Sequence, residues 1–281
     1  MDVVRSISEM QVMRNAVEGQ KCSIGFVPTM GTLHEGHLSL IRSARDECDK
    51  LIVSIFVNPM QFDREDDLAA YPQQLETDID IVKKEKVDVV FAPCKEEIYP
   101  EGFCTRVELK KLTENLCGKR RPGHFEGVAT IITKLFNIVK PDRAYLGQKD
   151  YQQYIIIKRL VQDLNMGIDI KLLPTVRDKD GLALSSRNRH LSAEERIKAR
   201  CLYEALLKAK SLVRDNQREV EKIKSEMEGI ILHVRDAKID YISIVDSDTL
   251  IEKTEVSGDT IAAVAVWIGS TRLIDNIVID T

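Results

Sequence analysis

Two glycine-rich fingerprints that cradle phosphate-bearing cofactors are missing from this chain. No Gly-x-Gly-x-x-Gly follows its first predicted strand, and no Gly-x4-Gly-Lys-Ser/Thr occurs anywhere, so neither a dinucleotide fingerprint nor a P-loop is present. The six cysteines (Cys22, Cys48, Cys94, Cys104, Cys117 and Cys201) include no CxxC pair and no companion histidines at zinc-site spacing. That argues against a structural metal and leaves reduced, mostly packed thiols. The opening MDVVRSISEMQVM holds no apolar run of signal-peptide length, and no segment approaches a membrane span, so a cytoplasmic protein without membrane association is expected. A formal charge of −4 leaves no electrostatic footprint for nucleic acid or an anionic membrane, apart from a local basic run at Lys119, Arg120 and Arg121.

The composition, 43% hydrophobic and 31% charged over 281 residues, is that of a globular protein large enough for two domains sharing a cleft. Ser23 to Val27 is a short apolar run, and Leu38, Ile41, Ala44 and Cys48 recur at helical spacing, so strand, loop and helix follow one another. Leu51 to Val57 is β-branched without alternation, as a parallel strand covered on both faces should be. It stops at Asn58-Pro59. A helix through Leu75, Ile79 and Val82 leads to Val87 to Ala92, which completes a βαβαβ pattern. Val128 to Val139 is a strong helical stripe ended by Pro141, Arg143 to Leu146 is a short strand, and Tyr151 to Leu164 is a helix before extended Ile168 to Leu173. The expected architecture is α/β, a Rossmann-like parallel sheet with helices on both faces over residues 1–175. Beyond it, Ser192-x-x-Glu195 is a capping box opening a long charged helix, Glu219 to His233 is a second, and Ile239 to Val245 and Ile261 to Ile268 are strands. Residues 176–281 therefore read as a smaller C-terminal α+β domain.

Four loops could carry chemistry. Pro28 to His37 (PTMGTLHEGH) joins the first strand to the first helix, where a strand's carboxyl end meets free helix amides that favour phosphate. His34 and His37 could contact a polyphosphate there, with Gly36 allowing close approach; alternatively one of them caps the helix and the other faces solvent. The His-x-x-His spacing is one residue short of the zincin pattern. Asn58 to Phe62 follows the second strand, and Gln61 can both donate and accept toward hydroxyl and carboxylate groups. Gly147-Gln148-Lys149-Asp150 sets a cation and a carboxylate after another strand, with Gln153 one turn into the next helix. Asp180 to Asn188 suits a mobile clamp on a triphosphate, the alternative being an ordinary interdomain linker with Ser192 as helix cap. Gln61 and Gln153 are neutral amides, which favours a hydroxy-carboxylate over a phosphate monoester as the second substrate.

In order along the chain, PTMGTLHEGH, FVNPMQF, RPGHFEGV, KLFNIVKP, GQKDYQQ and GLALSSRN resemble the pantothenate synthetase family, densely from residue 24 to about 192 and again at RLIDN (272–276). The resemblance implies a Rossmann-like domain with a smaller lid, a homodimer, and Mg²⁺-dependent condensation of (R)-pantoate with β-alanine. ATP would be consumed through a pantoyl-adenylate, giving AMP and pyrophosphate. Carried over by residue, it implies that Met30, Gly31, Thr32, Leu33, His34, Glu35, Gly36 and His37 line the ATP site. His37 is the family's proton donor there, with His34 beside it. Gly147, Gln148, Lys149, Asp150, Val176, Leu184, Ser185, Ser186 and Arg187 would also contact ATP, with Lys149 and the two serines nearest the phosphates. Gln61 would bind pantoate and touch β-alanine, Gln153 would hold pantoate from the other side, and Tyr71 and Asp78 match residues near the acyl and metal sites, Asp78 toward Mg²⁺. Thr32 and Tyr151 stand where the family commonly has other small or aromatic groups.

Overall fold

The structure is a computed structural model, which describes residues 1–17 and 22–279. It contains two compact units, one of residues 1–147 with 153–174, the other of residues 148–152 with 175–281.

The first unit runs β1 (Asp2–Val4), α1 (Ile7–Val17), β2 (Ile24–Thr29), α2 (Glu35–Glu47), β3 (Lys50–Ile55), α3 (Glu65–Ala70), α4 (Leu75–Lys84) and β4 (Val89–Phe91). It continues through α5 (Lys95–Ile98), α6 (Leu116–Arg120), α7 (His124–Val139), β5 (Arg143–Gly147), α8 (Tyr151–Asp163) and β6 (Asp169–Leu173). The six strands form one parallel sheet in the order β1-β4-β3-β2-β5-β6. Neighbouring residues of β2 show why its apolar run is continuous. Val27 packs with Leu40, Ile41 and Ala44 of α2 and Val82 of α4, whereas Phe26 meets Phe136 of α7 edge-on at 6.2 Å. Successive side chains point to opposite faces, so each face needs its own helical cover. The strand order reverses at β2, which lies between β3 and β5, and such a switch point opens a crevice at the strands' carboxyl ends.

Several features differ from expectation, among them the strand Thr271–Ile279, which had no strand assignment. The edge strand β1 was not foreseen, because three residues with one buried side chain carry almost no periodic signal. The capping box at Ser192 is present, with Ser192 Oγ accepting from Glu195 N at 3.2 Å and Glu195 accepting from Ser192 N at 2.8 Å. The helix it opens is nevertheless short: α9 (Ala193–Lys198) yields to α10 (Cys201–Arg214) across i→i−3 bonds from Arg200 to Ile197 and from Leu202 to Ala199.

In the second unit α9 and α10 are followed by α11 (Val220–Leu232) and by an antiparallel sheet of β7 (Ala237–Asp246), β8 (Thr260–Ile268) and β9 (Thr271–Ile279), in that order. Leu202 and Leu206 of α10 and Ile223 and Met227 of α11 pack with Ile244, Val264 and Val266 in a core of its own. No helix among the described residues is long and apolar enough to cross a membrane.

Candidate active site

The loop between β2 and α2 is held from below. Thr29 Oγ1 donates to Ser54 O (2.8 Å) and accepts from Gly31 N (3.1 Å), tying the loop's start to β3. Gly31 (φ 83°) and Thr32 (φ 57°) then turn in the left-handed region. A Cβ on Gly31 would stand 2.9 Å from Asp78 Oδ2, so glycine is required there for space as well as for φ. Thr32 has no such excuse, and a threonine at positive φ persists only where its surroundings hold it. Asp78 supplies the hold: it accepts from Thr32 N at 2.8 Å with one oxygen and from Leu33 N at 2.8 Å with the other, while Thr32 Oγ1 donates to Pro72 O. Asp78 is 1% exposed. The residue matched to the family's Mg²⁺ site thus has both oxygens on main-chain donors. Among the described residues no group of three or more His, Cys, Asp or Glu side chains is set to hold a metal.

At the end of this loop both histidines cap α2, whereas the alternative reading of the sequence had one cap and the other face solvent. His34 Nδ1 accepts from Gly36 N (3.2 Å), and His37 Nδ1 accepts from His34 N (3.3 Å), a capping box built of two imidazoles with ring centroids 4.1 Å apart. A ring nitrogen that accepts from an amide N–H carries no proton, so each neutral ring has its proton on Nε2. The histidines are therefore donors at Nε2 on a helix N-terminus, where the axial dipole also favours an anion. Glu35 instead turns to Arg42, which also pairs with Glu85 at 2.7 Å.

After β3, Asn58 caps a short turn (Pro59–Gln61) and is itself buried. Its Nδ2 donates to Gly127 O (3.1 Å) and Gln61 Oε1 (3.0 Å); its Oδ1 accepts from Met60 N (3.3 Å) and Tyr99 Oη (2.7 Å). Gln61 Nε2 reaches Met30 Sδ at 3.0 Å, which joins this loop to the histidine loop. Gln153 stands half-buried in the first turn of α8.

In the second unit the RLIDN segment organises two of the predicted loops. Asp275, 4% exposed, takes a bidentate pair from Arg177 at 2.6 and 2.9 Å. Burial pushes its carboxyl above the ordinary value, opposed by the guanidinium. Asn276 Nδ2 donates to the carbonyls of Gln148 (3.0 Å) and Lys149 (2.9 Å), so β9 fixes the backbone that carries Lys149. Lys149 Nζ lies 3.5 Å from Asp150. Arg177 also stacks on Tyr203 at 4.0 Å. Val176 O accepts from Leu184 N, Ser185 Oγ caps the turn Ser186–His190 by accepting from Arg187 N (3.3 Å), and Asn188 Nδ2 ties that turn to Ala183 O.

Sequence reasoning missed the supporting residues. Asn58, Tyr99, Arg177, Asp275 and Asn276, with Arg121 and His124, which donate to the Gln61 carbonyl, received no role, although the RPGHF and RLIDN segments that hold several of them stood out.

A parallel α/β sheet whose switch-point strand ends in a histidine-capped helix defines a protein class that binds anionic, phosphate-bearing ligands at that end. The comparisons narrow it. The family model for pantoate-beta-alanine ligase matches residues 2–278. Pantothenate synthetase of Caldicellulosiruptor bescii is 52% identical over 280 residues, covering 100% of this chain and 99% of that protein, and the one from Thermotoga petrophila is 50% identical over 279. A crystal structure of pantothenate synthetase from Thermus thermophilus superposes with a TM-score of 0.93 at 42% identity, covering 99% of both chains. That of the Francisella tularensis ligase, complexed with β,γ-ATP and β-alanine, gives 0.81 at 39%, covering 100% of this chain and 98% of that one. The chain belongs to the pantoate-beta-alanine ligase family.

Proposed function

We propose that the protein condenses (R)-pantoate with β-alanine in two steps. A pantoate carboxylate oxygen attacks the α-phosphorus of ATP and pyrophosphate leaves; the β-alanine amine then attacks the acyl carbon, the C–O bond to AMP breaks, and the amine's proton passes to solvent. Adenylation is needed because a carboxylate oxygen is a poor leaving group and AMP is a good one. The observation that carries this reading is the pair of Nε2–H donors capping α2 at the switch-point strand, with Gln61 one contact away through Met30.

In this reading Met30 to Gly36 and His37 receive the nucleotide, with His34 and His37 stabilising phosphate charge as neutral donors. His37 does this without giving up a proton, in contrast to its role in the family. Lys149, Ser185, Ser186 and Arg187 add positive and hydroxyl donors to the phosphates, beside backbone from Gly147, Gln148, Asp150, Val176 and Leu184. Gln61 and Gln153 hold pantoate, and Gln61 also meets β-alanine. Mg²⁺ would arrive on the triphosphate, since a small hard cation keeps water and phosphate oxygens and Asp78 is engaged elsewhere; bound there, it screens the charge between two anions. A homodimer in the cytoplasm is the setting, and the acyl-phosphate must be kept from water until the amine arrives.

Pyrophosphate release from ATP and Mg²⁺ tests it. Release that requires pantoate, with AMP and pantothenate accumulating only when β-alanine is added, is expected; release with a phosphorylated alcohol instead would move the protein to a sister nucleotidylyl-transferase. In the same assay His37→Gln, which keeps a donor near Nε2, should retain about tenfold more adenylation than His37→Asn, which keeps only the capping acceptor. Near-complete loss in both alike, since neither amide can deliver a proton, would return His37 to acid catalysis.

A further inference from the structure

Two main-chain groups settle how the Asn58 amide points. Gly127 O can only accept, so the atom 3.1 Å from it is Asn58 Nδ2; Met60 N can only donate, so the atom 3.3 Å from it is Oδ1. The second Nδ2 hydrogen faces the Gln61 side chain at 3.0 Å, which makes that Gln61 atom Oε1 and leaves Nε2 on the other side, toward Met30 Sδ. Tyr99 closes the chain by donating its hydroxyl to Asn58 Oδ1 at 2.7 Å.

We propose that Tyr99 is a positioning residue for the reaction, acting through Asn58 to present Gln61 Nε2 to the substrate as a donor. This rests on Gln61 being a pantoate contact. The group Gln61 recognises is then an acceptor oxygen, a carboxylate or hydroxyl of the acid substrate, and a flipped amide would meet it with like charge.

The surroundings are built for that task. The Tyr99 ring is packed between Phe56 (6.1 Å) and Phe103 (5.0 Å), and burial raises its phenol so that the hydroxyl stays a donor. Lys134 lies over the Phe103 ring at 4.7 Å. The Gln61 backbone is pinned separately: its carbonyl accepts from His124 Nδ1 (2.6 Å) and Arg121 Nη2 (3.3 Å), and Arg121 is held by Asp63 through Nε at 2.8 Å. With main chain fixed at one end and amide oxygen at the other, the remaining freedom of Gln61 is the rotation that Tyr99 and Asn58 oppose.

Tyr99→Phe keeps the ring and removes only the hydroxyl. KM for pantoate should rise about fivefold, the worth of one hydrogen bond, while KM for ATP stays within about twofold. Gln61→Glu, which cannot donate, should raise pantoate KM further, and adding Tyr99→Phe to it should cost nothing more. Equal rises for ATP and pantoate, or an unchanged pantoate KM, would overturn the proposal. A readout without substrate separates it from the functional reading: in asparagine-labelled protein the Asn58 side-chain amide protons should exchange about tenfold faster in Tyr99→Phe than in wild type, and equal exchange overturns it. Absence of pantoate turnover in the wild type would sink the functional reading while this exchange comparison still decides the positioning.

Discussion

Thr32 is the residue at which local preference and tertiary structure conflict. A β-branched side chain at φ 57° has an intrinsic cost, and the structure meets it with a buried carboxylate aimed at the two amides that the turn exposes. Asp78 is thereby a part of the histidine loop contributed from α4, more than forty residues downstream in sequence. Asp78→Asn offers one carbonyl to two donors, so an amide must face an N–H. The unfolding free energy should fall by about 2 kcal/mol, the cost of a buried donor left unmet. Adenylation should fall about tenfold or more through loss of loop geometry, with the Mg²⁺ concentration for half-maximal rate unchanged. Denaturant unfolding and a Mg²⁺ titration read both. A shifted Mg²⁺ dependence at unchanged stability would restore Asp78 to the metal.

At the scale of elements, the contact that matters most for Gln61 is between a helix and a loop. Gly127 lets α7 lie directly on the turn at Met60–Gln61: a Cβ there would stand 2.2 Å from Met60 O and 2.6 Å from Gln61 N. Gly127→Ala must push backbone from backbone. It should destabilise the protein by about 2–3 kcal/mol and raise pantoate KM more than ATP KM; thermal unfolding and steady-state rates check this, and a neutral substitution would mean that α7 does not support the loop. The elements that sequence reveals well are those whose signal is local. The unbroken LIVSIFV run announced β3, and the stripe from Val128 to Val139 announced α7. The three-residue β1 was illegible, and β9 appeared only as the RLIDN motif without a strand assignment, because its mixed polar residues serve Arg177, Gln148 and Lys149 as well as the sheet.

For the molecule as a whole, the four candidate loops could be picked out of the sequence because chemistry-bearing types cluster after strands, and the residues that support those loops could not. Nothing near Asn276 in sequence says that its amide will bind the carbonyls of Gln148 and Lys149. Nor does anything near Tyr99 point to Asn58. Those pairings are set by the order β1-β4-β3-β2-β5-β6 in one unit and β7-β8-β9 in the other, which bring distant stretches together. The same limit explains Asp78. Its two hydrogen bonds, to the amides of Thr32 and Leu33, became visible only once α4 was placed against the loop.

In the proposed reaction the acid is activated on the α-phosphorus. Turnover of pantoate labelled with ¹⁸O in its carboxylate, followed by mass spectrometry of the products, tests it most directly. One labelled oxygen should pass to AMP and none to pyrophosphate, because the attacking oxygen stays on the α-phosphorus when the acyl–oxygen bond breaks. Label in phosphate or pyrophosphate, with AMP unlabelled, would mean attack elsewhere on the triphosphate and would contradict the acyl-adenylate and the roles given to His34, His37 and Lys149.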